Sequence, residues 1–266
     1  MAWIDRQVPE RDEIFYDHIG YFVPNLETAG AQLVKLGFQV SAINIQYNEN
    51  EAGELIPTGT SNRLAKLNRG FIEVLAATGK SALADQLLAM LARYQGLHVI
   101  ALTHPDMTRT ATRLSDAGID MQDAVNLRRK VMVDSTETLM EFTVARVKPG
   151  TFPEGRLQIL TCHTPENFWL PGDMDHANRA DTLTDLLICV EDVAEARARY
   201  ERFFGKAAEK MGGLETLDLA RGRFHFVTPD PAGTMLQGFV APTLPYTCGQ
   251  GLGSQDLTAT RSFLSG

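Results

Sequence analysis

At 266 residues the chain is long enough for one large or two ordinary domains with buried cores. Its 44% apolar and 22% charged content is that of an ordinary soluble globular protein, and a formal charge of −8 argues against a nucleic-acid partner, which asks for a basic face. No apolar run approaches a bilayer span, the charged opening MAWIDRQVPERDEIFY is not a secretory leader, and the widely spaced Cys162, Cys189 and Cys248 give no disulfide framework, so the expected compartment is the cytoplasm.

Residues 17–23 alternate and predict a strand, and Pro24-Asn25 turns it. Asn25 is the expected N-cap of a helix over 26–36, with Leu26, Ala29, Leu33 and Leu36 on its buried stripe and Gly37 as its stop. Strands are expected at 38–45, 62–67 and 70–76, and an amphipathic helix at 82–94 carries the chain onward. A second unit repeats the order: a strand at 98–103, a helix at 107–117, and strands at 125–133, 138–147 and 156–161. Residues 164–182 form a long connection rich in proline, glycine and polar side chains. A third, shorter unit has a strand at 183–190, a helix at 193–204 and strands at 215–220 and 223–228.

One phrase underlies all of this. DHIGYFVPNL at 17–26 aligns without a gap on HVIALTHPDM at 98–107, again on the stretch from Asp185, and a fourth time on GQGLGSQDL from Gly249. Recurrence of strand, cap and amphipathic helix means one βαβββ unit used several times. The fourth copy ends soon after its helix begins. The expected division is therefore a first domain of two units over 1–163, the connection 164–182, and a second region over 183–266 that holds a third unit and a truncated fourth.

Tandem βαβββ units with a histidine on the first strand and a glutamate on the fourth resemble the vicinal oxygen chelate superfamily, which includes glyoxalase I, extradiol dioxygenases and bleomycin-resistance proteins. The stretches DHIGYFVPNL, GTSNRL (59–64), GFIEVLA, CHTPENFW (162–169) and HANRA (176–180) are similar, more closely, to the bacterial glyoxalase-like domain proteins. The resemblance implies an α+β fold of glyoxalase/dioxygenase-like half-barrels, in which two units make a cup. It also implies a divalent metal held by ligands from the first and fourth strand of each unit. His18 and Glu73 match those places in unit one. Unit two puts Val99 and Gln158 there, with His98 one residue away, and unit three puts Asp185 and His225 there. His98 reaches the cup only if a bulge shifts its strand by one residue.

Further candidates follow from position. His163 and Glu166 come directly after the last strand of unit two, where they would line the mouth with Trp169, and His176 would lie nearby. Asn62 and Arg63 precede a strand, and Arg63 has the planar fork that suits a carboxylate or phosphate. Phe22 would add apolar surface, while Arg128, Arg129 and Lys130 read as a solvated strand face. Two functions fit this set. One is a lyase, isomerase or dioxygenase with Mn, Fe, Ni or Zn on His18, Glu73, His98 and Gln158, and with Glu73, His163 or Glu166 moving a proton. The other is a metal-free protein that binds or sequesters a small molecule. In both the partner is a small organic ligand, with no nucleic acid or membrane. A homodimer is expected to cover the strand edge left by the unfinished fourth unit.

Overall fold

The computed structural model describes residues 5–50, 52–133 and 135–265, so part of the N-terminal stretch read above lies outside the described residues. Unit one runs β1 (Phe15–Phe22), α1 (Leu26–Lys35), β2 (Asn44–Glu49), β3 (Leu55–Lys66) and β4 (Phe71–Ala77), followed by the crossing helix α2 (Ala82–Leu91). Unit two runs β5 (Gly96–Thr103), α3 (Met107–Asp116), β6 (Val125–Val133), β7 (Thr136–Arg146) and β8 (Arg156–Cys162). A short helix α4 (Pro165–Phe168) lies in the connection to β9 (Ala180–Cys189). Then come α5 (Val193–Phe204), β10 (Glu209–Met211), β11 (Leu214–Asp218), β12 (Arg223–Val227), α6 (Pro229–Met235), β13 (Tyr246–Ser254) and α7 (Leu257–Ser265).

The repeated cap is visible in atoms. Asn25, Asp106, Asp192 and Asp256 each accept a hydrogen bond from the backbone N–H three residues on, at 2.8, 2.9, 3.0 and 3.0 Å. Each side chain satisfies an otherwise orphaned amide at a helix start, so the same turn is built four times from the same chemistry. The expected strand at 38–45 is displaced: β2 begins at Asn44. The preceding residues are tied elsewhere, with Ser41 N–H bonded to the Leu64 carbonyl and Gln39 N–H to His176 Nδ1. Strand β10 and helix α6 are additions to the sequence reading.

Units one and two form an eight-stranded sheet in the order β2-β3-β4-β1-β5-β8-β7-β6. Its end strands β2 and β6 approach each other, so the sheet curls into a nearly closed cup. Unit three and β13 form a five-stranded sheet, β10-β11-β12-β9-β13, in which β13 takes beside β9 the place that β5 takes beside β1. This is the α+β, glyoxalase/dioxygenase-like architecture that the repeats imply.

Strand alternation sorts the side chains onto two faces. The outer face of the cup (Ile19, Ile72, Ile100, Leu157, Ile159) packs with Leu186, Ile188, Tyr200, Phe203 and Phe224 of the second sheet into one continuous core. The inner face carries Leu64, Phe71, Leu75, Val99, Ala101, Val144 and Leu160. A buried ion pair joins the halves: Arg199 on α5 donates from Nη1 and Nη2 to the two oxygens of Glu154 at 2.7 Å each. Among the described residues no helix is long and apolar enough to cross a membrane.

Candidate active site

The cup encloses a cavity of about 110 Å³. His18 on β1, Glu73 on β4, Asn62 on β3 and Gln158 on β8 all line it. They are buried, yet each keeps a polar group directed at the others or at the cavity.

Strand β1 bulges between Tyr16 and His18 against β5, and the irregularity changes which way Asp17 points. Neighbours on a regular strand face opposite sides. Here the Asp17 carboxylate instead accepts from His18 Nδ1 at 2.6 Å and from the Thr103 hydroxyl at 2.5 Å. With Nδ1–H committed to Asp17, the lone pair of His18 Nε2 faces the cavity. It stands 3.8 Å from Glu73 Oε2 and 3.3 Å from Gln158 Nε2. The imidazole is stacked on Phe71 at 4.2 Å between ring centres, which fixes its plane. Glu73 is braced on its other oxygen, where Oε1 accepts from Asn62 Nδ2 at 2.5 Å and Gln46 Nε2 at 3.4 Å. Gln46 is held in turn by Thr60 Oγ1 at 2.6 Å.

Other candidates stand elsewhere. Val99, not His98, faces into the cup. Strand β5 does bulge at His98, since Gly20 pairs with Val99 and Tyr21 with Leu97, yet the ring does not reach the cavity. Its ring is stacked between Tyr94 and Phe22, and Nε2 bonds the Tyr94 carbonyl at 2.7 Å. Burial drops the His98 pKa to about 4. Phe22 packs in the apolar interior beneath Arg156 and does not reach the cavity wall. Arg63 points to the outside of β3, where it bonds the Ser41 carbonyl at 2.9 Å and Glu27 at 3.3 Å. His163 and Glu166 are exposed and away from the cavity, His163 bonding Thr143 at 2.9 Å. Trp169 is buried behind Phe168, and it is Phe168 that lines the cavity. His176 is a structural joint that accepts from Gln39 N–H at 3.0 Å and donates to the Lys66 carbonyl at 2.7 Å. In unit three, Asp185 and His225 bond each other at 2.8 Å.

The sequence reading passed over Arg146 and Arg156 and placed Arg129 on a solvated strand face, whereas Arg129 faces the cavity. Arg129 on β6, Arg146 on β7 and Arg156 on β8 all line the cavity. Period-two alternation was the available signal: Val125, Leu127, Arg129 and Val131 share one face, which makes Arg129 an inward residue. Arg128 is exposed, as a solvated face requires, and the Lys130 side chain lies outside the described residues. Burial lowers the pKa of all three inward arginines, Arg156 to about 10, while the charge of Glu73 opposes the drop.

Among the described residues no three His, Cys, Asp or Glu side chains gather as a metal site. Counting amides changes the picture. His18 Nε2, Glu73 Oε2 and Gln158 converge, and Gln158 Oε1 has no hydrogen-bond partner. Exchanging the two ends of the amide, which are equivalent in shape, would turn that oxygen toward His18. Imidazole nitrogen, carboxylate and amide oxygen together are a donor set that fits a borderline divalent ion.

The glyoxalase-like domain family profile matches residues 16–204, most of the chain. A search of curated protein sequences finds no match. Among solved structures, a hypothetical protein from Staphylococcus aureus aligns at a TM-score of 0.62 and 12% identity, covering 81% of this chain and 86% of that one. A triple mutant of 4-hydroxymandelate synthase from Streptomyces coelicolor aligns at a TM-score of 0.53 and 14% identity, covering 82% of this chain and 64% of that one. At such identities the likeness is one of fold. The chain belongs to the glyoxalase-like domain family, within the vicinal oxygen chelate superfamily.

Proposed function

We propose that the cup is the active site of a metal-assisted lyase, isomerase or dioxygenase acting on a small organic molecule. The observation that carries this reading is the convergence of His18 Nε2 and Glu73 Oε2 at 3.8 Å, with Asp17 bonded behind the imidazole. His18, Glu73 and Gln158 would hold a divalent ion such as Mn, Fe, Ni or Zn. Such an ion, when bound, polarises a substrate oxygen. The chain supplies the rest. Asn62 and Gln46 fix one oxygen of Glu73 and leave Oε2 toward the cavity, where it can take or return a proton. Phe71, Phe142, Leu160 and Phe168 give the apolar wall that limits water. The family membership supports this reading. Thermal unfolding of the purified protein across the four ions tests it. One ion should raise the midpoint of the wild type and leave His18→Ala and Glu73→Gln unmoved; a response shared by all three proteins would oppose the reading.

A second reading is favoured by one observation: three inward arginines with few carboxylates facing them, a setting that repels a bare cation. On that reading the cup is a metal-free pocket that binds or sequesters an anionic small molecule.

A homodimer is part of the proposal. Strand β13 is the end strand of the second sheet and is paired on one side, with β9. Its other edge pairs with no strand among the described residues and is suited to cover by a second copy. Light scattering at twice the chain mass supports this, and a monomer at micromolar concentration opposes it.

A further inference from the structure

Arg146 pairs directly with Gln158 across β7 and β8, and Arg156 lies two residues from Gln158 on the same face of β8. The two arginines are thus diagonal neighbours, with side-chain roots about 7–8 Å apart. Both line the cup, and both also line an adjoining groove with Gln86, Arg93, Gln122 and Lys148, so they stand where the two spaces meet. Neither makes a hydrogen bond or ion pair to another described side chain, and the Nε of each is buried without a partner. Arg156 has a Phe22 ring 5.5 Å from its guanidinium carbon, which offsets part of its lost hydration and supplies no hydrogen-bond acceptor. Arg129 faces the same cavity from β6.

Among the described residues the carboxylates that line the cavity are Asp17 and Glu73. Asp17 is committed to His18 and Thr103, and one oxygen of Glu73 to Asn62 and Gln46. Two half-buried guanidiniums side by side, each with a buried Nε–H that has no partner, are costly for folding alone. Planar forks of this kind match the oxygens of a carboxylate or phosphate.

We propose that Arg146 and Arg156, with Arg129 opposite, form an anion-binding subsite that selects a small organic acid bearing a carboxylate or phosphate group. The inference rests on the proposed cup site and names its substrate class. The anionic group is held on the arginine side, and the reacting end of the molecule lies toward His18 and Glu73. The subsite needs no metal, because its contacts are guanidinium to oxygen.

Titration calorimetry of the full chain, stripped of metal on a chelating resin, tests this with four probes: malonate, inorganic phosphate, acetate and neutral malonamide. Malonate or phosphate should bind at least tenfold more tightly than malonamide, and the preferred one identifies the group. Arg146→Gln and Arg156→Gln should each weaken that binding by 10- to 100-fold, and Arg146→Lys by less. Cooperative unfolding of each variant shows that it is folded; should either Gln variant not fold, Arg129→Gln carries the same test. Malonamide binding as well as malonate, or folded variants binding as tightly as wild type, would overturn the subsite. Repeating the titration with metal separates the two readings. Arginine-dependent binding that metal never alters upholds the subsite while counting against the metal. Binding that requires metal and ignores the arginines does the reverse.

Discussion

Asp17 and His18 are consecutive residues of one strand, yet the Asp17 carboxylate accepts from His18 Nδ1 at 2.6 Å because β1 bulges between Tyr16 and His18. The bulge turns an ordinary strand position into a carboxylate–imidazole pair and fixes which ring nitrogen faces the cup. Asp17→Asn keeps the shape and removes the charge. It should lower the affinity for a divalent ion by about 10- to 100-fold, as loss of such a supporting carboxylate does. Metal titration of the folded variant checks this; unchanged affinity would mean that the pair is only structural.

The same cup should be more stable without one of its charges. Arg146→Met keeps the bulk, relieves repulsion with Arg156 and removes a buried Nε–H that lacks a partner. The ligand-free variant is expected to gain about 1 kcal/mol in urea unfolding, while losing anion binding. A loss of stability would show that the charge is compensated in the empty protein.

His98 predicts an acid sensitivity. Burial takes its pKa from 6.5 to about 4, so between those values the unfolded chain binds a proton that the folded chain refuses. Stability from this residue is full above pH 6.5 and falls as the pH drops toward 4, by roughly 3 kcal/mol in all. Lowered pKa values at His104 and His176 act in the same direction. His98→Phe, which can still stack on Tyr94, should flatten part of the slope in denaturation curves taken from pH 7 to 4. An identical slope in the variant would assign the sensitivity to the other two.

Glu154 is fully buried and its charge is answered by Arg199, with both oxygens bonded. Arg199→Met strands that carboxylate and should cost about 3–5 kcal/mol. Adding Glu154→Gln should recover part of the loss. A double variant no better than the single one would place the cost in lost packing against Phe152 and Tyr200 instead.

The sequence exposed the architecture because the units repeat a local rule. The helix that follows the first strand of each unit carries Asn or Asp at its start, and the alternation before it places His18 and Val99 at equivalent inward sites. Glu73 and Gln158 were named because they match the fourth-strand ligand places of the family the repeats resemble, and Asn62 by its place beside Arg63. Asp17 was not, since a bulge is decided by pairing with β5 and leaves no mark in β1 alone. Arg63 was read as the anion anchor, whereas one step of alternation sends it to Glu27 on α1. Arg146 and Arg156 sit at strand ends, where a charged residue reads as solvent-facing unless the closure of the sheet is known. His163, Glu166, Trp169 and His176 were placed by nearness in the chain to β8, and the path of 163–180 carries them past the mouth.

Elemental analysis of protein purified without added metal tests the central claim most directly. About one equivalent of a divalent transition metal per chain is expected in the wild type, falling below a tenth in His18→Ala and in Glu73→Gln. Folded wild-type protein that carries no metal, and takes none up from micromolar Mn, Fe, Ni or Zn, would contradict it.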